Sequence, residues 1–184
     1  MMNEINNEPA YSKNVIELLT VANEYCLFIE KSENYSKIDI LQFLQKISPL
    51  LYLKGSLLPN VNVENKDANE RFVTEEQWET IFNELRNKFN KDDNYWFIDF
   101  NSPDENDPVK ASLAENFADI YQDLKDFVML YQKSTRAAKQ NAVYECKLLF
   151  KTHWGYCITN AQKAIHHLLY RNNSTYNYTK SSQF

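Results

Sequence analysis

Glycine is nearly missing from this chain: only Gly55 and Gly155 occur in 184 residues, with five prolines. Glycine takes positive φ at no steric cost, so the tight turns of an all-β fold and glycine-rich phosphate loops lack material here. Cysteine is scarce as well. Cys26, Cys146 and Cys157 are odd in number, widely spaced and set in apolar helical patterns, which suits reduced thiols and neither a disulfide framework nor a CxxC zinc site. No basic run appears, and the formal charge of −5 opposes attraction to phosphate backbones or anionic lipid, so neither nucleic acid nor membrane is expected as a partner. The longest apolar runs fall far short of the roughly 20 residues that span a bilayer. The N-terminal stretch MMNEINNEPAYSKN has neither a basic region nor an apolar one, which makes a cytoplasmic location the expectation.

What is present is helical periodicity. The length suits one domain, and apolar residues recur at spacings of three and four. A first helix is expected over 12–31, with Val15, Leu18, Leu19, Ala22, Tyr25, Cys26 and Ile29 in one stripe. A second, over 36–57, is kinked or interrupted in this reading near Ser48, because Pro49 removes a backbone donor. The third starts at Thr74, which can cap the chain while Gln77 reaches back to it. Its buried side is Trp78, Ile81, Phe82, Leu85 and Phe89. The fourth starts either at Asp107 before Pro108 or at Ser112 with Glu115. Leu113, Phe117, Ile120, Leu124, Phe127 and Tyr131 then follow at intervals of 4, 3, 4, 3 and 4, a heptad seam. The last helix is expected to run unbroken over 138–170. The fold class that follows is all-α, a single-domain, up-and-down bundle of about five helices over 12–170, with polar tails at 1–11 and 171–184 expected to be disordered. Two connections, 58–73 and 91–107, are long for structureless loops.

The words LLPNVNV, TEEQWETIF, YWFIDF, SLAENFADIYQDLKDF and FKTHWGYCITNAQKAIHHLL occur in that order. Together they resemble an uncharacterised bacterial family of helical domains, with ADIYQDLK and HWG the most specific words, over about residues 15–170. The resemblance implies an α-helical domain of unassigned activity. The family's loop reads like Tyr-Trp-Glu-x-Phe-Asp-Pro, whereas this chain has Phe97 in place of the acid and Asn101-Ser102 before Pro103.

All three histidines lie between residues 153 and 167. His153 and His167 are 14 positions apart, roughly 21 Å along an ideal helix, so they cannot share an ion. His153 and Cys157, at i and i+4, could supply two ligands, but a zinc site needs about four; Cys157 falls on the apolar seam and reads as a small hydrophobe. No metal and no cofactor are expected. The acids of the fourth helix, Glu115, Asp119, Asp123 and Asp126, lack the Glu-x-x-His pairing of di-metal bundles. Asp126, opposite the seam, reads as solvated. If the fourth and fifth helices form an antiparallel hairpin reversing near residues 134–137, Asp119 lies level with His153 and Trp154; a reversal near Asn141 is the alternative register.

Asp119, Asp123, His153 and Trp154 are therefore the candidate ligand-binding group. Gly155 implies close approach of a neighbouring segment, for which NYWFIDF is the candidate. In that segment Trp96 and Phe97 are expected to pin the loop onto the bundle, and Tyr95, Trp96 and Phe97 are the candidate partner or pocket aromatics. No nucleophile–base pair, metal box or phosphate loop stands out. The function expected is a non-catalytic cytoplasmic interaction or accessory module with an unidentified protein partner; the alternative is a small-ligand or metal-dependent bundle enzyme using the Asp/His cluster.

Overall fold

A computed structural model describes residues 8–99 and 107–171. In it six helices surround a core, with one short two-stranded sheet. Helix α1 (Lys13–Ile29) and helix α2 (Lys37–Ser56) pack on each other. Ser36 and Asp39 form a capping box at the start of α2, and of the two outcomes expected at Pro49, a kink or an interruption, the interruption does not occur. Helix α3 (Glu75–Phe89) begins at the expected box, in which Thr74 Oγ1 accepts from Gln77 N–H and the Gln77 side chain accepts from Thr74 N–H.

Strands β1 (Asn94–Ile98) and β2 (Pro108–Ser112) follow as an antiparallel pair, with Trp96 opposite Lys110 and Ile98 opposite Pro108. The stretch read as a loop is thus a hairpin. Its tip, 100–106, lies outside the described residues, as do 1–7 and 172–184, where the tails were expected. Pro108 opens a strand in place of a helix, and the helix start falls to Ser112, whose hydroxyl accepts from Glu115 N–H and donates to Asp93. Asp93 also accepts from Ala114 N–H, so a buried acid holds this corner.

Helix α4 (Leu113–Gln132) is the hub, packing on α1, α3, and the two helices that follow. Every member of its heptad seam is buried. The Tyr25 hydroxyl donates to the Phe117 carbonyl at 2.7 Å, which ties α1 to it. Helix α5 (Arg136–Thr152) starts at Thr135, which caps Ala138 N–H, and helix α6 (Trp154–Tyr170) follows after a break at His153. The expected single helix over 138–170 is therefore two, and the bundle has six helices instead of five.

The break has a local cause. A side-chain carbon on Gly155 would lie 2.2 Å from the Phe150 carbonyl oxygen, so the backbone can close up this tightly at the break only where a glycine stands. Trp154 is fully buried, its indole N–H donating to the Cys146 carbonyl eight residues earlier. Its ring meets Gly55 on α2, where an added carbon would stand 2.4 Å from it. The close approach implied by Gly155 is thus made by Phe150 and not by NYWFIDF.

The N-terminal residues 8–11, expected within a disordered tail, pack on the bundle: Ala10 is buried, its carbonyl accepts from the Tyr131 hydroxyl, and Glu8 meets Arg136 and Gln140. The 58–73 connection carries one short 3-10 turn, Lys66–Ala68, and is held down by side chains of α4 and α5.

Candidate functional site

Asp119 and Asp123 lie one turn apart on α4, and the break at His153 aims the imidazole between them. Nδ1 of His153 is 2.6 Å from Asp123 Oδ2, and Nε2 is 3.7 Å from Asp119 Oδ2. The earlier of the two hairpin registers is the one formed, with the chain reversing after Gln132. The Asp119 carboxylate, then that of Asp123, favours the charged imidazolium and raises its pKa from 6.5 to about 10, while burial opposes it. Asp123 is buried; Asp119 and His153 are partly exposed.

Around this pair stand groups with less obvious sequence signals. Trp78 of α3, read as a core residue, donates its indole N–H to Asp119 Oδ1 at 2.9 Å while its ring stacks on Phe82. Cys157, one turn along α6 from His153, points into the same space: donor atoms of Asp119, His153 and Cys157 all lie within 4.8 Å of one another. Burial, helped by the charges of Asp119 and Asp123, pushes the Cys157 thiol up to about 12. It is therefore no thiolate nucleophile at neutral pH.

Asp126 departs from its expected solvated place. It is buried, and its Oδ1 accepts from the backbone N–H groups of Phe72 and Val73 at 2.7 and 2.9 Å, while Arg71 approaches Oδ2 at 3.2 Å. The helical wheel puts it opposite the seam, but the 58–73 connection covers that face. Trp154 also departs from its expected role, since it is a core residue turned toward α2 and Cys146 and does not join the Asp/His cluster.

The second candidate group lies on β1. Tyr95 and Phe97 face inward, and the Tyr95 hydroxyl accepts from the Asn116 amide. Trp96 is 64% exposed, so most of its ring faces solvent and it is not buried on the bundle as expected. Strand alternation puts neighbours on opposite faces, so Trp96 cannot share the inward face with Tyr95 and Phe97. Between β1 and the second half of α6 opens a cleft of about 620 Å³, reached by Trp96, Phe97, Lys163, His167, Leu168 and Arg171. Among the described residues Asp92 is the acid on its rim, and it is already paired with Lys37 at 2.7 Å and Arg171 at 3.2 Å.

Residues 9–171 match the family model described as a domain of unknown function, DUF5063. The chain belongs to the DUF5063 family. The match begins at the N-terminal turn and ends at Arg171 on the cleft rim. A crystal structure of protein BF1032 from Bacteroides fragilis is similar in sequence and shape: 30% identity and a TM-score of 0.78, covering 96% of this chain and 100% of that one. None of the proteins of curated function matches this DUF5063 chain. Among the described residues no helix is long and apolar enough to cross a membrane.

Proposed function

We propose that this DUF5063 protein is a non-catalytic cytoplasmic binding module that holds an extended, acidic segment of a partner protein in the cleft between β1 and α6. The observation that carries this reading is the exposed Trp96 ring beside a cleft of about 620 Å³. A large aromatic left in water at the mouth of a groove is the kind of residue that anchors interfaces.

Charge and backbone point to the same occupant. Lys91, Lys163, His167 and Arg171 reach the cleft, and the one acid among its described lining residues, Asp92, is already paired. A locally cationic groove on a chain of net charge −5 favours a negatively charged guest. Among the described residues β1 pairs only with β2, so its other edge can accept an added strand, with Phe97 and Leu168 receiving alternate apolar side chains.

A second reading, a small-ligand or metal-dependent enzyme, has the convergence of Asp119, Asp123 and His153 in its favour. Against a catalytic role, the buried Asp123 is taken up by His153 and the Cys157 thiol is held protonated in the metal-free chain, so neither a free base nor a thiolate nucleophile stands there. Selection from a displayed peptide library tests the binding reading. Enriched sequences should alternate apolar residues with Asp or Glu, and enrichment should disappear with the Trp96→Ala, Lys163→Glu double variant. Enrichment of basic sequences, or selection indifferent to those substitutions, would contradict it.

A further inference from the structure

The space between Asp119, His153 and Cys157 has the composition and geometry of a transition-metal site, and it lies apart from the β1–α6 cleft. Three donors of different kinds, a carboxylate oxygen, an imidazole nitrogen and a thiol sulfur, come within 4.8 Å of one another. Tetrahedral zinc with bonds of about 2.0 to 2.3 Å places its ligand atoms about 3.3 to 3.8 Å apart, so small side-chain movements close the site. The Asp119–His153 pair is already at 3.7 Å.

The neighbours of these donors do what the outer partners of metal ligands do. Asp123, buried, takes the Nδ1 side of His153 at 2.6 Å, which fixes the ring and turns Nε2 toward the other two donors. The Trp78 indole N–H engages Asp119 Oδ1 and leaves Oδ2 facing His153. Asp119 and His153 thus each have one atom held and one atom presented. The break at His153 is needed for this, because the residue caps α6 with backbone angles of −142° and −86°, while Cys157 sits on the first turn and its N–H donates to the His153 carbonyl at 3.2 Å. Mixed oxygen, nitrogen and sulfur donors suit zinc or cobalt(II) and disfavour magnesium and calcium, which take oxygen.

We propose that Asp119 Oδ2, His153 Nε2 and Cys157 Sγ bind one zinc-class divalent ion, bridging α4 and α6 with a fourth position open to water. The inference is independent of peptide binding at β1, and either can fail alone.

Cobalt(II) titration of the metal-free chain is the test, followed by absorption. One equivalent should bind, with a thiolate-to-cobalt charge-transfer band in the near ultraviolet, and zinc should displace it. Cys157→Ser should abolish the band. Asp119→Asn, which keeps an acceptor for Trp78, should weaken binding at least about tenfold, and Trp78→Phe should weaken it by about 10- to 100-fold. Thermal melts by circular dichroism show whether each variant folds, and the Trp78→Phe and Asp119→Asn arms decide if Cys157→Ser does not. No saturable band, or a band unchanged in the variants that fold, overturns the site.

Discussion

His153 Nδ1 and Asp123 Oδ2 lie 2.6 Å apart across 30 residues of chain, and this contact fixes the junction of α5 and α6 against α4. With Asp119 on the other ring nitrogen, the imidazole stands between two carboxylates one helical turn apart.

Stability of the metal-free chain should therefore depend on pH in a defined direction. The imidazolium is held up to about 10 when folded and returns to about 6.5 on unfolding. A raised value means that the folded state binds the proton more tightly. The stabilisation is complete below about pH 6.5 and is lost as pH rises through about 10. The ring is 41% exposed, so solvent screening discounts the effect to about 1–2 kcal/mol. Urea melts across this window should show the loss in the parent and a flatter profile in His153→Gln. Parallel profiles would contradict the pairing.

Asp126 makes a sharper prediction, because one oxygen, Oδ1, accepts both backbone N–H groups of Phe72 and Val73. Asp126→Ala strands two donors, one of them buried, at a cost of about 2–4 kcal/mol. Asp126→Asn keeps that oxygen and gives up the charge facing Arg71, so about 1 kcal/mol is expected. Denaturant midpoints of the two variants check the order. Equal losses would mean that the oxygen does not anchor the connection.

The two glycines should resist the substitution that usually strengthens a helix. Alanine in place of glycine ordinarily gains about 1 kcal/mol in a helix interior. Gly55→Ala instead drives a carbon to 2.4 Å from the buried Trp154 ring, and Gly155→Ala drives one to 2.2 Å from a backbone oxygen. Overpacking of that kind costs about 1–3 kcal/mol, so both variants should melt lower than the parent. A rise in melting temperature for Gly155→Ala would show that the break at His153 is not set by that contact.

How legible was this molecule in its sequence? The seam from Leu113 to Tyr131 and the Thr74–Gln77 box follow from period and spacing alone, because those features are local or repeat along one helix. The level of Asp119 with His153 was one of two registers that the spacing allowed, and the turn between Gln132 and Arg136 decides between them. The division of the last helix was hidden. Both halves are amphipathic, and the signal, Gly155 beside a tryptophan, has meaning only once Phe150 and Gly55 are in place. Asp126 was misplaced for a related reason: a helical wheel tells where the seam is but not that a distant loop covers the opposite face. Trp78 was correctly put on the side of α3 that packs, yet a packing position says nothing of where the indole N–H points. The hairpin was missed because NYWFI has few alternating polar residues and its partner PVKAS shows little pattern.

Affinity of a selected acidic peptide, compared between the parent and Trp96→Ala at low and high salt, tests the binding account most directly. Loss of a central aromatic anchor should weaken binding by about 30-fold, which corresponds to about 2 kcal/mol. For the parent, raising salt from about 0.01 M to about 1 M should weaken it further as Lys163 and its cationic neighbours are screened. An affinity unchanged by Trp96→Ala and insensitive to salt would contradict the account.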